Sequence, residues 1–179
     1  MSEKEHVIVT SVGSDRPGIV AELSGWILEN GGNIEDSRMS QLGGEFATLV
    51  LVSGDTGLAQ KLESAREQFA SQCGQTISSK PVAAAPSAPA ISHLRYQLKA
   101  TALDHPGIVH QVSQLLREQS VNIVSASTHT TPAPFTGAPV FQFQMLVDVP
   151  GTTTAAKLRD QLRELGDRDN IDFTLTAAE

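Results

Sequence analysis

The chain has 179 residues, 40 % of them apolar, and carries 13 Lys and Arg against 20 Asp and Glu for a net charge of −7. That length holds one domain or two small ones, and the apolar share excludes wholesale disorder. The acid excess, with no cluster of basic residues, excludes nucleic acid as a direct partner.

The polar, acidic opening from Met1 to His6 reads as lacking a secretory signal. The β-branched run Val7-Ile8-Val9-Thr10-Ser11-Val12 predicts a strand. Asp15-Arg16-Pro17-Gly18 then makes a turn into a helix, where the missing proline N–H costs nothing. Apolar residues at 19, 20, 23, 26 and 27 form one helical stripe, and Gly31-Gly32 suits its left-handed end. A polar strand over about 33–41, a tight Gly43-Gly44 turn and a strand from Phe46 to Val52 follow. Leu58, Leu62, Ala65 and Phe69 mark a second helix, and a strand around Gln75–Ser79 closes the set.

Residues 81–90, rich in proline and alanine, read as a linker. Beyond it the pattern recurs. Leu94, Tyr96, Leu98, Ala100 and Ala102 alternate with polar residues, as a half-buried strand requires. Asp104-His105-Pro106-Gly107-Ile108-Val109 repeats Asp15-Arg16-Pro17-Gly18-Ile19-Val20 at an offset of 89, and Asn122-Ile123 repeats Asn33-Ile34 at the same offset. The helix stripe is 108, 109, 112, 115 and 116; Ser120-Val121 replaces the two glycines, which predicts a different helix exit. A polar strand over about 122–130 leads to a long ordered loop, Thr131 to Pro139, in place of the tight turn. Phe141, Phe143, Met145 and Val147 point inward on the next strand, Ala155, Leu158, Leu162 and Leu165 mark a helix, and Ile171–Thr176 is the last strand.

The predicted fold is therefore α+β: two ferredoxin-like βαββαβ units, 1–80 and 91–179, each an antiparallel sheet with its helices on one face. With six Phe, one Trp and one Tyr, the cores must be mostly aliphatic. The open sheet faces leave room for a homodimer. A lone Cys73 and no apolar run near the ~20 residues of a membrane span point to a reducing, cytoplasmic setting without membrane contact.

The Asp-x-Pro-Gly-Ile-Val turn, the Gly-Gly-Asn-Ile exit and the element order resemble ACT domains, small regulatory modules that bind amino acids. The tandem pair without a catalytic domain, and the proline-rich loop before Gly137-Ala138-Pro139-Val140-Phe141, resemble the glycine cleavage system transcriptional repressor group. The resemblance implies a regulator that senses a small amino acid, glycine or serine, and acts through a protein partner, a DNA-binding activator, without touching DNA itself. It implies a site at the first turn and the facing strand. In the first unit these are Asp15, Arg16, Pro17, Gly18, Ile19, Val20, Asn33 and Ile34. In the second they are Asp104, His105, Pro106, Gly107, Ile108, Val109, Asn122 and Ile123.

The chemistry fits these residue types. Free amides at a helix start favour a carboxylate, and glycine lets a ligand come close to the backbone. Asp15 and Asp104 are acceptors for an ammonium, and Asn33 and Asn122 offer a donor and an acceptor. Plainer readings stand beside these. Each Asp serves equally as a helix cap, each Gly as a close-packing point, and each Asn as the partner of a neighbouring turn. Arg16 reads as a solvated charge, His105 as its counterpart able to titrate near neutrality, and Pro17 and Pro106 as structural.

Three other classes compete. Cys73 has no histidine close in sequence, and His6, His93, His105, His110 and His129 show no metal-ligand spacing, so no catalytic residue, metal or cofactor is expected. A ligand-free protein-interaction module and a regulatory subunit of a metabolic enzyme remain as alternatives to the sensor.

Overall fold

The computed structural model describes residues 4–83 and 93–178. The chain divides into two compact units, Met1–Ser87 and Ala88–Glu179. The first contains β1 (Glu5–Ser14), α1 (Ile19–Glu29), β2 (Gly32–Leu42), β3 (Glu45–Gly54), α2 (Leu58–Cys73) and β4 (Thr76–Val82). The second repeats the order as β5 (His93–Leu103), α3 (Ile108–Glu118), β6 (Asn122–Pro132), β7 (Pro139–Pro150), α4 (Ala155–Asp169) and β8 (Ile171–Ala177). The sheets run β2-β3-β1-β4 and β6-β7-β5-β8, with every neighbouring pair antiparallel. This is the α+β, ferredoxin-like arrangement that the period-two and period-3.6 patterns predict.

Alternation decides the buried faces. Val7 and Val9 of β1 and Val50 and Val52 of β3 meet Leu23, Trp26, Ile27, Leu58, Leu62 and Phe69 from the helices. Trp26 and Phe69 stack with ring centroids 4.8 Å apart, a contact that adds about 0.5–1.5 kcal/mol beyond area burial. In the second unit Leu98, Ala100, Phe143, Met145 and Val147 pack on Val112, Leu116, Leu158, Leu162 and Leu165.

Several details depart from expectation. Val20 and Val109 sit on the solvent side of α1 and α3, because the stripe is narrower than the apolar sequence: only positions 19, 23, 26 and 27, and 108, 112 and 116, are buried. Leu94 is exposed as well. Pro81 and Val82, placed in the linker by composition, pair with Val7 and His6 as the end of β4. Residues 84–90 of that segment lie outside the described residues.

The two helix exits share one geometry. Gly31 has φ +83° and donates to the Leu28 carbonyl; Ser120 has φ +55° and donates to the equivalent Arg117 carbonyl. Only the next position differs. A Cβ on Gly32 would lie 2.6 Å from Val52 Cγ1 and 2.8 Å from Ile27 Cγ2, whereas the second unit buries Val121 there. The hairpins differ more. Gly43 and Gly44, both at positive φ, join β2 to β3, while the second unit inserts Ala133 to Ala138 between the paired residues Pro132 and Pro139. Thr131, Pro132 and Pro139 are thus strand residues, and the loop is shorter than its composition suggests.

Candidate functional site: two glycine-started helices

Each unit passes from its first strand to its first helix through a bend locked at one end. Asp15 donates its amide to the Gly44 carbonyl at 3.0 Å, and Asp104 donates to the Pro139 carbonyl at 2.9 Å. At the other end Gly18 and Gly107 take φ values of +96° and +101°, and their carbonyls accept the first helical bonds, from Glu22 and Gln111. These glycines are required for the sign of φ, not for close packing. Among the described residues nothing lies within 4 Å of a Cβ built on Gly107, and on Gly18 the nearest atom is Glu22 Oε1 at 3.6 Å.

The cap reading of the two aspartates fails on the same geometry. The residue at the cap is glycine, and no side chain covers the first-turn amides of α1 or α3 among the described residues. Asp15 instead accepts a 2.8 Å bond from the Gln41 amide across the sheet edge. Ile19, Val20 and Ala21 therefore begin α1 with amides that no side chain caps, beside a concavity of about 320 Å³. Asp15, Arg16, Gly18 and Phe46 line the rest of it. Phe46 carries no sequence signal for this role. It lies there because the β1–β3 register pairs it with Gly13, two residues before the bend.

Arg16 is exposed at the surface but paired. Its guanidinium donates to Glu22 at 2.8 Å and to the Cys73 carbonyl, the last of α2, at 2.9 Å. Pairing with Glu22 holds the Arg16 pKa above its usual value, and the same paired bond holds the Glu22 carboxyl below the ordinary range. The second unit has His105 there, whose Nδ1 lies 3.2 Å from the Pro106 carbonyl, and Gln111 in place of Glu22. The floor beneath the bends differs too. Ser11 donates to Gln75, and Gln75 donates to the Ser14 carbonyl, each at 3.3 Å. By sheet register the second unit has Ala100 and Ile171 at these two places.

Pro17 and Pro106, with Ile19, Ile108, Val20 and Val109, belong to the bends, but Asn33, Ile34, Asn122 and Ile123 do not. Asn33 pairs with Ser53, opposite His6, whereas the bend follows Ser14. Eight residues of strand separate the two ends, about 26 Å at 3.3 Å per residue. Asn122 pairs with Asp148 opposite Arg95, equally far from the bend after Leu103.

The third helix of this kind, α2, shows what such a start attracts. It too begins behind a glycine, Gly57 at φ +95°, and the Glu5 carboxylate accepts from the Ala59 amide at 3.1 Å. The backbone amides of Gly57 and Ala59 hold the Glu5 pKa below its usual value. Among the described residues no cluster of His, Cys, Asp and Glu has the makings of a metal site, and no helix is long and apolar enough to cross a membrane.

Comparison with known proteins agrees with this architecture. ACT-domain sequence families match residues 5–80 and 96–167. A glycine cleavage system transcriptional repressor of Escherichia coli (strain K12) is 27 % identical over 165 residues, 92 % of this chain and 86 % of that protein. A crystal structure of an unknown protein from Galdieria sulphuraria is 31 % identical, with a TM-score of 0.85 over 99 % of this chain and 100 % of that one. The structure of a candidate glycine cleavage system transcriptional repressor shares the fold at 21 % identity, with a TM-score of 0.76 over 99 % of both chains. The chain belongs to the ACT-domain family, with one ACT domain in each of its two units.

Proposed function

We propose that this protein is a non-enzymatic, amino-acid-sensing regulator that binds a small amino acid, glycine or serine, at the β1–α1 and β5–α3 bends. The observation that carries the reading is the pair of helices that start behind a left-handed glycine, with no side-chain cap bond there among the described residues. A ligand carboxylate would sit on α1 as Glu5 sits on α2 within the same chain. Asp15, beside the α1 start, would take the ammonium, with Asp104 its counterpart at α3. Asn33, Ile34, Asn122 and Ile123 lie about 26 Å from the bend of their own unit, too far to touch the same small amino acid from within it.

Likeness to the Escherichia coli repressor supports control of glycine-cleavage genes. In this reading the control is exerted in the cytoplasm through a protein partner, a DNA-binding activator. The net charge of −7 argues for that route over direct contact with DNA. Thermal melting of the full chain against a panel of free amino acids tests the proposal. A ligand of the folded state raises the melting temperature with dose, because stabilisation follows RT ln(1 + [L]/Kd). A shift confined to glycine or serine, and lost in Gly18→Val with Gly107→Val, is the expected result. No shift with any amino acid at ~10 mM, well above a ~1 mM Kd, would favour the ligand-free interaction module.

A further inference from the structure

We propose that Phe135 is an anchor that this chain inserts into an apolar pocket on a protein partner. Three observations carry the inference, and none depends on amino-acid binding at the bends. The first is exposure. Phe135 is fully exposed, the most exposed of the large apolar side chains in the described residues. An aromatic ring left in water is surface waiting to be buried, about 150–250 Å² of it.

The second is the backbone. Thr136 donates to the Pro134 carbonyl at 3.0 Å across Phe135, whose φ is +72°. A three-residue turn with a positive central φ is rare and strained, and glycine is the residue that relieves it. Phe gives the fold nothing in return there, since it packs on nothing. Strain held without a folding benefit is the mark of a site kept for function. The loop is also stiff. Ala133 donates to the Ala138 carbonyl at 2.7 Å, Gly137 donates to the Ala133 carbonyl at 3.0 Å, and Pro132, Pro134 and Pro139 restrict the chain. A ring presented on a rigid loop loses little entropy when it docks.

The third is the internal repeat. At the same place the first unit makes do with Gly43 and Gly44, so the sheet does not need the extra residues. The insertion exists in one unit and its tip is the aromatic.

The chemistry around the ring identifies the kind of partner. From Thr130 to Val140 no residue is charged, in a chain of net charge −7. A membrane surface or a nucleic acid calls for Lys or Arg beside the aromatic. One exposed ring on an uncharged loop matches the centre of a protein–protein interface, where an aromatic fills a pocket within a water-excluding rim.

Photo-crosslinking tests this in the cells that encode the protein, with benzoylphenylalanine at position 135 of the full chain and, as control, at the exposed Leu28. One discrete adduct with a different protein from position 135, absent from position 28, is expected. That protein, once purified, should bind Phe135→Ser at least about tenfold more weakly than wild type. Phe135→Gly should lose binding equally while melting at or above the wild-type temperature, which excludes misfolding as the cause. No adduct, an adduct of twice the chain mass, a lipid adduct, adducts from both positions, unchanged affinity of Phe135→Ser or a lowered melting temperature of Phe135→Gly would each overturn the proposal.

Discussion

Replacing Gly18 by alanine separates the two demands placed on the first bend. The backbone there has φ +96° and ψ −13°, and the nearest atom to the new Cβ is Glu22 Oε1 at 3.6 Å, so no clash contributes. What remains is the penalty for a left-handed alanine, about 1–2 kcal/mol. Restricting the unfolded chain returns about 0.4–1 kcal/mol. The net loss of about 1 kcal/mol lowers the melting temperature of a unit this size by about 4–8 °C. If a ligand carboxylate approaches the amides of Ile19 to Ala21, the methyl group also stands in its path, and the melting shift induced by glycine or serine should shrink. Gly18→Asn sharpens the comparison. Asparagine tolerates positive φ better than alanine, yet carries a larger side chain. It should preserve more stability and bind less. A Gly18→Ala protein that melts like wild type would refute the backbone argument. One that melts lower but keeps its full ligand-induced shift would refute the site.

Two further outcomes test the packing and the charges. Gly32→Val copies the residue that the second unit has at this place, yet its Cβ would meet Val52 and Ile27 well inside van der Waals contact; a loss of about 1–3 kcal/mol is expected in urea unfolding, and a neutral result would refute the close approach of α1 to the sheet. Acid should destabilise the fold. Glu5 is held below the ordinary carboxyl range by the amides of Gly57 and Ala59, Glu22 and Asp148 by Arg16 and Arg95, and Glu63 by Ser79 and Arg66. A folded pKa below the unfolded one contributes stability above the unfolded value, about 4 for carboxyls, and this is lost as pH falls through the lowered values. Urea midpoints that hold or rise below about pH 4 would contradict that sign.

The fold was legible because it rests on periodicities that survive in both copies. Alternation in Leu98-Ala100-Ala102 and Phe143-Met145-Val147 placed the core face without any knowledge of partners. Less is legible where a residue's surroundings depend on an element far away in sequence. Val20 looks like part of the helix stripe, and only the position of α1 on the sheet turns it outward. Arg16 is exposed, as read, but its bond to the Cys73 carbonyl comes from α2, 57 residues later. Phe46 enters the bend's surroundings through strand register, and the same register sets Asn33 at the other end of its own sheet.

The helix exits show how the duplication preserved shape while exchanging side chains. Gly31 and Ser120 share a left-handed backbone and the same carbonyl partner although one of them carries a Cβ. The bend behaves differently. Gly18 and Gly107 lie near φ +100°, farther from the left-handed region that Ser120 occupies, and both copies retain glycine there. Around that fixed backbone the neighbours have diverged, from Arg16 with Glu22 to His105 with Gln111, and from Ser11 with Gln75 to Ala100 with Ile171. What both copies share is the backbone, with its bonds to the hairpin and to the first helical turn, and what changed is the set of side chains around it.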